Sequence, residues 1–157
     1  MEWLIISCLL SGFSPAANDT IFGTYVIPEE KISLSLSPPN NYTLFVMQTN
    51  RKSGSVNSQE ISRGQFMIEA DTVILEDITT GKAMKLLTDN NEKLYPINVP
   101  SLDSDSEFLG QSQYYSDGKL KWEGEWRKGK KHGTWIYYDD LGNVAKTIRY
   151  KKGKEID

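Results

Sequence analysis

From Leu120 the chain alternates in a two-residue rhythm. Leu120, Trp122, Gly124 and Trp126 fall on one side of an extended chain, and Lys119, Lys121, Glu123 and Glu125 on the other. Alternation of this period, with aromatics in the run, is the signature of a half-buried strand. Arg127-Lys128-Gly129-Lys130-Lys131 supplies a turn, and residues 134–138 return as a partner strand with Trp135 and Tyr137 on one face. The pattern then recurs. Asp117-Gly118-Lys119-Leu120 is echoed by Leu141-Gly142-Asn143-Val144, and Glu125-Trp126-Arg127-Lys128-Gly129-Lys130 by Arg149-Tyr150-Lys151-Lys152-Gly153-Lys154, both at an offset of 24. Tyr114-Tyr115 and Tyr137-Tyr138 stand 23 apart, which predicts one extra residue at the second turn, near Asp140-Leu141. A fixed period in the range of about 20–50 residues marks a repeat array, in which each unit buries its apolar face on a neighbour.

Upstream the pattern is of short strands separated by turn residues. Residues 22–27 end at Pro28; 31–37 set Ile32, Leu34 and Leu36 against Ser33, Ser35 and Ser37; 42–48 follow Pro38-Pro39-Asn40-Asn41. Residues 49–62 are polar and read as a loop or an extended hairpin tip. Further strands are expected at 65–68, 72–77, 82–87 and 93–97. Strands at about ten-residue spacing with turn signals between them indicate an antiparallel meander, sandwich or small barrel. In so short a segment the interior is expected to be packed rather than hollow.

Trp122-Glu-Gly-Glu-Trp-Arg-Lys-Gly-Lys-Lys-His-Gly-Thr-Trp135 resembles the MORN repeat family: aromatic-x-Gly-x-Trp, then x-x-Gly, then His-Gly. The flanking YYSDGKLK and YYDDLGNVAK are similar to variant MORN repeats of bacterial proteins, some of which carry an antitoxin-like description. The likeness covers about 40 of the 157 residues, and in the second unit Ile148 stands where Gly124 stood. It implies stacked hairpins and a role in protein interaction or, more contentiously, phospholipid contact. Residues 22–98 resemble, in pattern, the lipocalin-like domains of bacterial envelope proteins, on Gly23-x-Tyr25, Leu34-x-Leu36, Tyr42, Gly64-x-Phe66 and Asp71-Thr72-Val73-Ile74-Leu75.

Composition adds two modules of opposite charge. Residues 113–157 carry 11 Lys/Arg against 7 Asp/Glu, whereas residues 1–112 carry 7 against 14. Glu123, Glu125, Asp139 and Asp140 dilute the basic half too much for a nucleic-acid stripe, so no nucleic-acid partner is expected. Residues 1–17 look like a secretory signal: an apolar run from Trp3 to Phe13, then small residues at Ser14-Pro15-Ala16, although the n-region Met1-Glu2 lacks a cation. Cys8, the sole cysteine, lies in Ile5-Ile6-Ser7-Cys8, a faint likeness to a lipobox; removal with the leader is the main reading and lipidation the lesser one. Residues 99–112, opening Val99-Pro100 and turning acidic, read as a linker.

Catalytic chemistry has little to stand on. His132 is the only histidine and sits in a Lys-Lys-His-Gly turn, and no His/Cys/acid cluster has metal-ligand spacing. Asp103-Ser104-Asp105-Ser106-Glu107 lacks the glycine and terminal glutamate of a calcium loop. No catalytic residue, metal or cofactor is expected. Eight of the 17 aromatics fall in residues 114–150. They serve to glue thin hairpins together, and a subset flanked by cations forms the candidate binding set: Tyr115, Trp122, Trp126, Lys130, Lys131, Trp135 and Tyr137.

The sequence thus predicts an all-β protein: leader 1–17, antiparallel β domain 20–98, linker 99–112, and a C-terminal array of two MORN-like hairpin repeats at 113–157. The expected function is non-enzymatic binding or scaffolding at the bacterial cell envelope. A protein partner comes first, then an envelope glycan or anionic lipid surface, with homodimerisation through the C-terminal repeat edge. An antitoxin-like cytosolic module and a lipocalin-like carrier of small ligands are the alternatives.

Overall fold

The computed structural model describes residues 21–97, 99, 102–103 and 105–156. The expected leader and Cys8 lie outside the described residues. The described chain is all-β, with no helix. Its strands are β1 (Gly23–Ile27), β2 (Ile32–Ser37), β3 (Asn41–Thr49), β4 (Val56–Glu69), β5 (Thr72–Asp77), β6 (Ala83–Asp89), β7 (Lys93–Ile97), β8 (Phe108–Tyr114), β9 (Leu120–Arg127), β10 (Lys130–Tyr138), β11 (Val144–Lys151) and β12 (Lys154–Ile156). Each pairs with its successor, and β8 also pairs with β1. Strands β1 to β8 therefore close an antiparallel barrel, and β9 to β12 continue from it as an appended sheet.

The barrel closes because its strands alternate. Tyr25 and Ile27 of β1, Leu34 and Leu36 of β2, Tyr42 and Leu44 of β3, Phe66 of β4, Val73 and Leu75 of β5, Leu86 of β6, Leu94 of β7 and Phe108 of β8 are all buried in one core. Their neighbours point outward, as the period of a pleated strand demands. These side chains fill the interior, the usual outcome for a barrel of eight strands.

One sequence expectation is decided and one needs amendment. Of the loop and the extended hairpin tip expected at 49–62, the structure has the hairpin: β3 and β4 pair out to Thr49↔Val56, beyond the core, with the side chains of its tip in solvent. Backbone bonding holds this ribbon, so no apolar pattern advertises it. The stretch read as a linker, 99–112, contributes most of β8. Gly110, Gln111, Ser112 and Gln113 break the apolar alternation there, yet Phe108, Leu109 and Gly110 are buried.

The pairing of β8 explains how the sheet branches. Leu109 pairs with Val26 and with Lys93; Ser112 pairs with Thr24 and with Glu123. A strand has two edges, and β1 lines one of them throughout. Hence β7 and β9 share the other edge in turn, β7 at the start of β8 and β9 at its end. The appended sheet leaves the barrel at this fork.

The repeat offset is 24 throughout the turns and bulges. Tyr115 N–H donates to Lys119 O and Gly118 N–H to Tyr115 O; Asp139 N–H donates to Asn143 O and Gly142 N–H to Asp139 O. Bulges fall between Gln113 and Tyr114 and again between Tyr137 and Tyr138. Tyr114 thus matches Tyr138, Asp139 replaces Tyr115, and the extra residue expected near Asp140 does not exist.

If β8 is a barrel strand, Phe108→Ala should cost about 3–5 kcal/mol, the range for emptying a buried aromatic site. Urea unfolding measures this; a loss below about 1 kcal/mol, typical of a surface site, would place Phe108 outside the core.

Candidate functional site

Gln113 joins barrel to appended sheet. From β8 its carboxamide oxygen accepts the Trp122 indole N–H at 2.6 Å. Its amide group donates to the Tyr25 hydroxyl oxygen at 3.4 Å and to Asn91 O. Tyr25 in turn shares its one hydroxyl proton between Ile21 O at 2.8 Å and Asn91 O at 3.1 Å. Burial pushes the Tyr25 hydroxyl far above its ordinary range, so it stays protonated and keeps donating. The described residues contain no buried side-chain polar atom without a partner.

Around this junction the inner face of the appended sheet is an aromatic stack. Trp135, fully buried, stacks on Trp122 with centroids 4.9 Å apart, and meets Trp126 edge-on at 5.2 Å and Tyr150 at 6.0 Å. Gly124 makes the stack possible, because a Cβ there would run into the Trp135 ring. The chain reaches this geometry through a bulge. His132 pairs with Glu125 and Ile136 with Glu123, so Gly133, Thr134 and Trp135 together face Gly124 alone. Gly133 takes a φ of 69°, which a glycine adopts freely. Trp135 N–H then donates to Glu125 O at 3.1 Å, and Trp126 N–H to Gly110 O at 2.5 Å.

The barrel closes this inner face. Lys131 binds Glu92, beside the β6–β7 turn, at 2.7 Å, with 18% and 29% of the two side chains exposed. Its ammonium also lies 4.2 Å from the Trp135 ring centroid and 5.3 Å from that of Tyr150. Lys93 pairs with Glu107 at 3.1 Å and sits over Trp126. Such half-buried, shared cations are worth more than surface ion pairs, each roughly 1–2 kcal/mol. Burial raises the Tyr137 and Tyr150 hydroxyls above their ordinary range.

Of the seven candidate residues, the fold gathers five, Trp122, Trp126, Lys131, Trp135 and Tyr137, on this inner face. Trp122 and Trp135 are 4% and 0% exposed, and their rings are occupied by each other. Tyr115 lies apart, donating to Tyr138 O at 3.0 Å with Lys121 over its ring. Lys130 faces outward. Gln113, Asn91 and Glu92 had no signal in the sequence, since each acts through a contact distant along the chain.

The outer face carries a different feature. Arg127 pairs with Lys130 in register and Glu125 with His132, so these point away from the aromatic stack. Arg127, Lys128, Lys130, His132, Lys151 and Lys152 line an open cleft of about 550 Å³. Both of its turns are built alike: Lys128 and Gly129 have φ of 52° and 67°, Lys152 and Gly153 have 55° and 82°. Two successive residues at positive φ make the tight hairpin turn that matches strand twist. The repeat offset had already marked Arg127 with Lys151, and Lys128 with Lys152, as equivalent.

Two further recesses carry polar side chains of note. One, of about 550 Å³, is lined by Glu29, Glu30, Asp103, Asp105 and Glu107 and reaches Lys128. The other, of about 300 Å³, holds a relay in which Ser62 donates to Asp77 at 2.7 Å, leaving Tyr42 to donate to Ser62 at 2.8 Å. Ser62, then the Thr80 backbone and hydroxyl, hold the Asp77 carboxyl well below its ordinary range. Among the described residues no group of three or more His, Cys, Asp or Glu is placed to hold a metal ion. Comparison with protein-family models, curated proteins and solved structures found no match.

Two outcomes are expected. Gly124→Ala should destabilise the protein by about 1–3 kcal/mol through overpacking against Trp135, with loss of near-ultraviolet tryptophan dichroism; an unchanged melt and spectrum would refute the stack. A depressed carboxyl pKa gives stability that is present above the unfolded value of about 4 and lost as pH falls below it. Asp77→Asn should therefore lower the urea midpoint at neutral pH, and the gap to wild type should shrink on acidification. A gap independent of pH would rule out the charged relay.

Proposed function

We propose that the protein is an exported, non-enzymatic binding and scaffolding protein of the bacterial cell envelope, acting through its MORN-like hairpins. One observation carries this reading. The aromatic inner face of the appended sheet is closed against the barrel, while its outer face holds five Lys/Arg side chains in one cleft, none with an ion-pair partner among the described residues. Binding is thereby assigned to the outer face, through Lys130 and its neighbours, rather than to Trp122 and Trp135. The equivalent turns and bulges at an offset of 24 favour MORN-like hairpins, and the filled barrel favours a pedestal over a carrier. An anionic component of the envelope is the partner this face suits.

A photo-crosslinking residue placed at Thr147 or Lys152 in the native host tests this, with Lys85 on the barrel wall as control. Expected are adducts from the two appended-sheet positions only, on a mature chain beginning just after Ala16 or Ala17. Adducts from Lys85 alone would overturn the assigned face. A mature protein retaining Met1 would overturn export and favour the cytosolic, antitoxin-like alternative.

A further inference from the structure

The basic cleft has features that narrow the chemistry of what it takes. Its cations are set in rows by the repeat. Arg127 on β9 and Lys151 on β11 occupy equivalent positions, with β10 between them. Arg127 is level with Lys130, whereas Tyr150 is level with Gly133, so Lys151 lies two residues further along; two strand spacings and that stagger put the two backbone positions roughly 12 Å apart, within reach of both long side chains. The two turns that bear Lys128 and Lys152 are tied together: Gly153 N–H donates to Lys131 O at 2.9 Å, and the Lys130 stem lies beside Gly153. The rows therefore keep their spacing.

Ion pairing from within is missing among the cleft's five cations. Glu125 shares this face, opposite His132, and Lys128 borders the acidic recess, but none of the five forms an ion pair with a described carboxylate. Stacking like charges on adjacent hairpins costs stability, and a bound anion would relieve that cost. At about 550 Å³ the cleft has the size of a small-molecule site rather than of a flat contact surface.

The surroundings restrict the shape of the ligand. Immediately across the Lys128–Gly129 turn lies the recess lined by five carboxylates. A long polyanion or an anionic membrane laid over the cleft would press negative charge against that recess. A compact group would not reach it.

We propose that the cleft between the two Lys-Gly turns binds a compact, multiply charged oxyanion of the di- or triphosphate kind, free or as the terminal group of a larger molecule. This rests on the outer face being the binding face. Arg127 offers a planar fork for two oxygens, and Lys128, Lys130, Lys151 and Lys152 supply point charges around it.

The test uses the full mature chain and inorganic triphosphate as probe, by isothermal titration at low and physiological salt. Expected is one site per chain, weakening as salt rises. Affinity should fall at least about tenfold in Lys151→Glu/Lys152→Glu, as loss of two or more converging charge contacts implies. Arg127→Gln, a milder change, should weaken binding several-fold and serves if the double variant does not fold. Glu29→Gln/Glu30→Gln should leave triphosphate binding unchanged and improve binding of long-chain polyphosphate. Triphosphate held no more tightly than sulfate at equal ionic strength would overturn the proposal, as would affinity unaltered by Arg127→Gln. Binding to anionic phospholipid vesicles but not to triphosphate would also overturn it, in favour of a membrane surface. Because the probe is inorganic, failure here leaves the crosslinking outcome independent, and the reverse holds.

Discussion

Everything in this molecule turns on one strand being used three ways. β8 closes the barrel against β1, accepts β7 along the first part of its other edge, and launches β9 from the rest. Gln113 sits where these meet. Its carboxamide is in contact with Trp122, Tyr25 and Asn91, one group from each of the three surrounding regions. Buried polar groups must find partners, and losing one leaves a cost of about 1–3 kcal/mol. Three partners satisfied by a single side chain make the relative placement of barrel and appended sheet a matter of hydrogen-bond geometry, not of a tether.

The two faces of the appended sheet follow from that placement. The inner face gains from the stacked and edge-on tryptophans, each aromatic pair adding roughly 0.5–1.5 kcal/mol beyond its buried area. Lys131 closes it by serving Glu92, Trp135 and Tyr150 at once. With the aromatics committed to cohesion, the outer face is the one we propose for recognition. There the 24-residue repeat has the opposite effect: it places cations over cations. Cohesion inside and stacked charge outside are two consequences of one period.

Much of this was legible in the sequence where a residue's role is local. Alternation revealed β2 and the Leu120–Trp126 strand, turn residues bounded β1 and β5, and the paired Lys-Gly turns marked the period. Tyr114-Tyr115 misled, because matching identities suggested a 23-residue step where the backbone keeps 24. β8 was illegible for a physical reason: Gly110 is small because Trp122 and Glu92 O crowd it, and buried Gln113 is held by hydrogen bonds to Trp122, Tyr25 and Asn91, so its inward positions are not apolar. Trp122 and Trp135 were visible as aromatics, but whether they stack inward or face a partner depends on Gly124 and on a bulge across the hairpin. Composition does not record that.

The central claim is that barrel and appended sheet share β8 as one cooperative structure. Native-state hydrogen exchange tests it most directly, at the amides of Gly110 and Tyr114, which donate to Glu92 O at 2.8 Å and to Phe22 O at 2.7 Å. The account predicts that both exchange only through global unfolding, with the same free energy as the amides of β2 and β5. Fast exchange at Gly110 and Tyr114, with β2 and β5 still protected, would show residues 108–114 to be a linker after all and would contradict it.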